Sequence, residues 1–193
     1  MQVSGPQEPR RPRRVGLLFG VAAAVFVVDV VTKIVVVATL TPYHQVNVIG
    51  TLLSLDLVRN SGAAFSFGPG ITIVFTLIAV SVIFFIVRTS RRLHSMAWAV
   101  TLGLLLGGAA GNLTDRVLRS PGVFRGEVVD WIQLPHWPVF NVADSCIVCG
   151  GFLAVVLAAR GIRLDGSRDV RVASKEDSAR GTTGGAQAGD SQT

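Results

Sequence analysis

Four apolar runs, over residues 15–40, 71–87, 96–111 and 139–159, constrain this chain more than any other feature. A bilayer core about 30 Å thick takes roughly 20 apolar residues as a helix, and in lipid only helices or closed barrels satisfy every backbone amide. The runs suit spanning helices, the third needing extension at its ends. Half of the 193 residues are apolar and 16% are charged, which is unusual for a soluble domain of this size. The pattern predicts a mainly α, polytopic membrane protein with four transmembrane helices.

The arginines set the orientation. Arg10, Arg11, Arg13 and Arg14, then Arg88, Arg91 and Arg92, then Arg160 and Arg163, fall on one side of a four-span topology. The positive-inside rule makes that side the cytoplasm, with both termini inside and the two long connections outside. This placement accounts for the net charge of +6 without a nucleic-acid partner, and none is expected. RRPRR at 10–14 looks like the start of a leader. The run behind it is too long for one, lacks a small-residue cleavage site and is interrupted by Asp29 and Lys33, so a retained helix is expected. The chain divides into a basic cytoplasmic segment (1–14), a four-span membrane domain (15–163) and a tail (164–193). From about Asp165 the tail is rich in Gly, Ser and Thr without hydrophobic periodicity, which predicts disorder. Cys146 and Cys149 form a lone CxxC inside an apolar run and are expected to be packing residues, not metal ligands.

The outer connections have their own patterning. Leu53-Ser54-Leu55-Asp56-Leu57 alternates as a strand does, and residues 128–134 form a weaker second candidate. A small β-rich element on the outer membrane surface is expected, with Trp131 and Trp137 at the interface. RNSGAAFSFG, residues 59–68, reads as a turn re-entering the membrane.

With that topology the unusual polar residues collect at the outer end: Asp29, Asn60, Gly62, Asn112, Asp115, Arg116, Asp130, Asn141 and Asp144. One outward-facing site built from all parts of the chain is the economical reading. Several of these residues also have purely structural readings. Asp29 and Lys33 stand at i, i+4 and can pair; each ionised alone near mid-membrane would cost roughly 2.5–3.5 kcal/mol. Gly107 and Gly111 have a spacing that allows close helix packing. Asp115 and Arg116 are expected to neutralise one another, leaving Asn112 free to hold a substrate amide. Asn141 followed three residues later by Asp144 suits a helix cap, a role compatible with chemistry. A fourth helix beginning near residue 139 would place Asp144 about 7 Å inside it.

The inventory of reactive groups is narrow. Ser61, Ser66 and Ser145 lack a histidine at a motif-like spacing, there is no GxSxG or HExxH, and His44 and His136 are isolated. Carboxylates remain. Two of them about 3 Å apart cannot both ionise, so they share a proton: one draws a proton from water while the other polarises the scissile amide. Asp130 and Asp144, brought together by a reversal through Pro135 and Pro138, are the favoured pair. Asp115 is the rival, with Arg116 beside it as a ready counter-charge.

DVVTK (29–33), RNSGAAFSF (59–67), GGAAGNLTDR (107–116), VVDWI (128–132) and FNVADS (140–145) together resemble the type II (lipoprotein) signal peptidase family, in its order and at compatible spacings. The resemblance covers the whole membrane domain. It implies a four-span membrane aspartyl endopeptidase of the bacterial cell membrane, working without a cofactor. Its catalytic aspartates fall on Asp130 and Asp144, and its substrate contacts on Asn60, Gly62, Asn112, Arg116 and Asn141. Asp29, Lys33 and Asp115 fall on positions that support fold and site. Trp131 stands where many members have phenylalanine, which leaves the chemistry untouched. The implied substrate is a diacylglyceryl-modified prolipoprotein, cleaved just before its lipidated cysteine by a monomer in contact with membrane lipid. A small transporter with a polar substrate path is the rival reading; it would spread charge through the membrane depth, whereas here the charges crowd the outer half.

Overall fold

The computed structural model describes residues 12–62 and 70–169. Four helices, α1 (Val15–Thr39), α2 (Gly70–Thr89), α3 (Met96–Leu118) and α4 (Val142–Ala159), are long and apolar enough to cross a membrane. Three strands, β1 (Val46–Ile49), β2 (Leu53–Asn60) and β3 (Val128–Gln133), form an antiparallel sheet in the order β1-β2-β3. The fold class read from the sequence is the one observed, and the third span runs on past Gly111 to Leu118.

α3 is the central helix, packed against α1, α2 and α4. Between spans in lipid there is little hydrophobic gain, so close backbone approach and polar contacts must hold the bundle. Glycines provide the approach. A Cβ on Gly107 would stand 2.6 Å from the Ala22 carbonyl oxygen of α1, and one on Gly108 2.6 Å from the Ala143 carbonyl oxygen of α4. α1 buries a single stripe, Leu18, Ala22, Asp29, Lys33 and Val36, and exposes Val27, Val31, Ile34 and Val35. Such exposed aliphatic side chains suit a lipid-facing surface.

At the arginine-rich end, Ser95 caps α3 by accepting from Trp98 N at 3.4 Å, and Trp98 Nε1 donates to the Ile162 carbonyl at 2.7 Å. His94 N and Ser95 N both donate to the Leu164 carbonyl, at 3.0 and 2.9 Å. The chain after α4 is therefore folded back on the bundle, and Arg163 pairs with Asp169 at 3.1 Å. The disorder expected from about Asp165 does not begin there; residues beyond 169 lie outside those described.

The sheet sits at the other end. Val36 of α1, Leu57 of β2 and Val129 of β3 pack together, with Trp131 against them, and fix the sheet to the bundle. β1, whose four residues are all exposed, was not foreseen. Arg59 and Asn60 end β2 instead of opening a turn, paired with Val129 and Val128 of β3. Residues 63–68 of that expected turn lie outside those described. After β3 the chain turns at Leu134–Trp137, where Trp137 N donates to the Leu134 carbonyl at 3.2 Å. It then returns so that Phe140 pairs with Ile132. This return corrects the expected start of α4. Phe140 is extended, Asn141 is the cap and the helix begins at Val142, so Asp144 sits in its first turn, about 3 Å along the axis.

Candidate active site

The sheet and helix ends assemble a polar cluster under β3. Asp130 pairs across the sheet with Val58 and is 2% exposed. Its Oδ2 accepts from Asn60 Nδ2 at 2.9 Å and its Oδ1 from Asn141 Nδ2 at 2.6 Å. Asn60 Oδ1 in turn accepts from Gly62 N at 2.8 Å, with Gly62 at φ +84°, where a side chain would be strained.

Asn141 links the two aspartates. Its Oδ1 accepts from Asp144 N at 2.9 Å while Asp144 Oδ2 accepts from Asn141 N at 3.2 Å, a reciprocal capping box at the start of α4. The capping reading of this pair and its place in the site thus coexist. Asp144 Oδ1 accepts from Asn112 Nδ2 at 2.8 Å.

Beneath lies a buried ionic group. Lys33 Nζ is 2.8 Å from Asp29 Oδ2, 2.9 Å from Asp115 Oδ2 and 3.0 Å from Asn112 Oδ1. Asp29 Oδ1 also accepts from Ala143 N at 3.0 Å, tying α1 to the head of α4. Asp115 accepts from Val129 N at 3.2 Å and pairs with Arg119.

Two expectations fail here. Asp115 is neutralised by Lys33 and Arg119, not by Arg116, because residues adjacent on a helix point about 100° apart whereas i and i+4 share a face. Asn112 is not free: its oxygen accepts from Lys33 and from Asn141 Nδ2 at 3.2 Å, and its nitrogen serves Asp144. Arg119 was missed, although its i+4 spacing from Asp115 was a readable signal. Asp115 is also removed as a partner for Asp130, since its oxygens are already engaged.

Arg116 stands apart from these ion pairs. Its guanidinium carbon lies 5.5 Å from the centre of the Phe75 ring, and Nη1 is buried without a hydrogen-bond partner among the described residues. It lines a groove of about 420 Å³ between α2, α3 and α4. Asn60, Gly62, Asn112, Arg116 and Asp144 form the groove's polar end, and Phe75, Ile78, Val82, Leu105 and Ile147 are among its apolar walls.

The electrostatics of the cluster single out Asp130. Burial, and secondly the charge of Asp144, push its carboxyl from the ordinary 3.8 up to about 7, against the amide donors of Asn60 and Asn141 and the charge of Lys33. A carboxyl of this kind can hold a proton at neutral pH and give it up to a reacting group. A raised carboxyl beside a second aspartate is an arrangement suited to acid–base chemistry.

Comparison with known proteins identifies the family. Residues 21–160 match the family described as Signal peptidase (SPase) II. A lipoprotein signal peptidase of Streptomyces coelicolor is 52% identical over 162 residues, covering 84% of this chain and 79% of the relative. One from Mycobacterium avium is 51% identical over 162 residues, covering 84% and 88%. Two solved structures of a bacterial membrane enzyme, at 2.3 and 1.9 Å, are each 29% identical with TM-scores of 0.68 and 0.69, covering 78% of this chain and 92% and 97% of theirs. The chain belongs to the signal peptidase (SPase) II family, a multi-pass membrane family of aspartic-type peptidases.

Proposed function

We propose that this protein removes the signal peptide from diacylglyceryl-modified prolipoproteins by cleaving just before the lipidated cysteine, with Asp130 and Asp144 as its catalytic pair. The observation that carries the reading is Asp144 at the polar end of an otherwise apolar groove, with the buried carboxyl of Asp130 linked to it through Asn141. A signal helix can lie against the groove's aliphatic walls while its small residues near the cleavage point let the backbone approach the aspartates. The diacylglyceryl chains stay in the bilayer.

One carboxylate takes a proton from water, whose oxygen attacks the scissile carbonyl carbon, while the other carboxyl protonates the carbonyl oxygen. The resulting diol collapses, the C–N bond breaks, and the amine nitrogen leaves with a proton from the pair. Arg116, with a nitrogen unpartnered among the described residues, and Asn60, Gly62 and Asn112 line the groove as substrate-facing polar groups, and Asn141, buried behind them, acts on substrate through the two aspartates. Asp29, Lys33 and Asp115 support them from below. The arginines at the opposite end support a cytoplasmic location for that end and, with it, a site near the outer face. A monomer contains every residue the reading needs. The transporter alternative is not favoured, since the chain's relatives are peptidases.

The test is a gel-shift assay with purified protein in detergent and a diacylglyceryl-modified prolipoprotein. Wild type should cleave, and Asp130→Asn and Asp144→Asn should each lose cleavage while remaining folded. A variant that still cleaves at the wild-type rate removes its residue from the pair. Equal cleavage of unlipidated precursor would refute the lipid requirement.

A further inference from the structure

The hydrogen bonds below the aspartates run in one direction, and Lys33 sets it. An ammonium has three donors and no acceptor. Lys33, 1% exposed, donates to Asn112 Oδ1 at 3.0 Å and is ion-paired with Asp29 at 2.8 Å and Asp115 at 2.9 Å. Asn112 must therefore turn its oxygen to Lys33, because an amide NH2 facing an ammonium would set donor against donor. With Oδ1 held there, Nδ2 points the other way, to Asp144 Oδ1 at 2.8 Å.

Asp144 differs from Asp130 in its surroundings. It stands in the first turn of α4, where free backbone amides and the helix dipole favour negative charge, and it lines the groove. Asp130 is on a strand and 2% exposed, and it meets the head of α4 only through the side chain of the cap residue Asn141.

We propose that Lys33 is a positioning residue for peptide hydrolysis: through Asn112 it holds Asp144 as the base that activates water, leaving Asp130 as the acid. This rests on the peptidase reading above and assigns the two roles within it. Asp144 takes a proton from water as the water oxygen bonds to the carbonyl carbon, and Asp130 gives its proton to the carbonyl oxygen, forming a neutral diol. As the C–N bond breaks, Asp144 passes its proton to the departing nitrogen and Asp130 recovers one from the diol. Both residues return to their starting states, and the sum is amide plus water to acid plus amine. The upward displacement of Asp130 agrees with its holding the proton at rest. The other charged groups facing the pair are Asp29 and Lys33 from α1 and Asp115, Arg116 and Arg119 from α3. Asp29, Lys33, Asp115 and Arg119 neutralise one another, and Arg116 acts on both aspartates.

The test is the pH dependence of kcat and KM for the full-length protein with lipidated precursor, in wild type, Asn112→Ala, Asn60→Ala and the double variant Asp29→Asn/Lys33→Met. The double variant removes the ammonium without leaving the cluster a net charge. Asn112→Ala and the double variant should each raise the acid limb of the profile by about one pH unit and lower kcat about tenfold or more, with KM little changed. Asn60→Ala, which removes a donor from Asp130, should raise only the alkaline limb. Limbs exchanged between these variants would reverse the roles. Limbs that stay in place in Asn112→Ala and the double variant, whatever the melting temperatures do, would overturn the positioning role. Cleavage persisting in Asp130→Asn or Asp144→Asn would instead bring down the underlying aspartate pair.

Discussion

Asp130→Asn should stabilise the protein at alkaline pH while abolishing its activity, and the size of the effect follows from the site. A carboxyl raised from 3.8 to about 7 retains a proton in the native state that the unfolded chain has released. At about 1.4 kcal/mol per pH unit, forcing the charged form into this site costs about 4 kcal/mol. Between pH 3.8 and about 7 the native state binds more protons than the unfolded state. Wild-type stability is therefore greatest below 3.8, falls as pH rises and levels off above about 7. Asparagine does not titrate and escapes this loss, but it carries a penalty of its own. Both oxygens of Asp130 accept from side-chain amides, at 2.6 Å from Asn141 and 2.9 Å from Asn60, and an NH2 must now face one of those donors. That costs about 1–3 kcal/mol at every pH. The stability of the variant relative to wild type should thus rise by about 2–3 kcal/mol between pH 5 and pH 8, ending in the variant's favour. Reversible unfolding of both proteins by SDS in mixed micelles at several pH values measures this difference directly. Other titrating groups cancel in the difference, apart from those coupled to Asp130. Parallel curves would show that burial does not hold a proton on Asp130 and would refute the reasoning. A stabilised, inactive variant would mark Asp130 as a residue kept at the expense of stability.

Other substitutions separate packing, charge and positioning. Lys33→Met alone leaves Asp29 and Asp115 in a buried cluster with an uncompensated charge and should destabilise by about 3–5 kcal/mol, with partial recovery when Asp29→Asn is added; SDS titration reads both. Gly107→Ala should cost about 1–3 kcal/mol by pushing α1 from α3, whereas Gly151→Ala, with open space around it, should stay within about 0.5 kcal/mol on the same titration. Asn141→Ala removes a helix cap and the two side-chain links that join Asp130 to the head of α4. Its stability should fall by about 1 kcal/mol, but its cleavage rate, measured with lipidated precursor, should fall about 100-fold.

The spans were legible because the membrane leaves a chain so few options, and the meeting of Asp130 and Asp144 in one polar cluster because aspartates among apolar residues demand partners. What remained hidden was of three physical kinds. Hydropathy ran straight through Val139 and Phe140, yet backbone pairing of Phe140 with Ile132 keeps them extended, so the helix starts later than its apolar run. β1 is four exposed residues whose strand conformation depends on a partner, β2, and local pattern does not report partners. The commitments of Asn112 reach Lys33, 79 positions away, and no local rule could have saturated them. The Asp115 error was of another sort: helix geometry already favoured Arg119 over Arg116, and adjacency was the wrong criterion.

The charges of the cluster also sort themselves by compensation. Asp29, Lys33, Asp115 and Arg119 close into a group with two charges of each sign, each charge touching an opposite one. Such a group can be held at the membrane's edge without any ligand, because its desolvation is met internally. Among the described residues, Asp130, Asp144 and Arg116 make no ion pair of this kind. Amides hold the two aspartates, and a phenyl ring lies beside the arginine. Polar donors position a carboxylate without cancelling its charge, so these groups keep the capacity to take a proton, give one or meet a developing oxyanion. The distinction between support and chemistry proposed above thus follows from which charges are already satisfied before a substrate arrives. It makes the same division that the Lys33 and Asp130 substitutions should reveal, the first by lost stability and the second by stability gained.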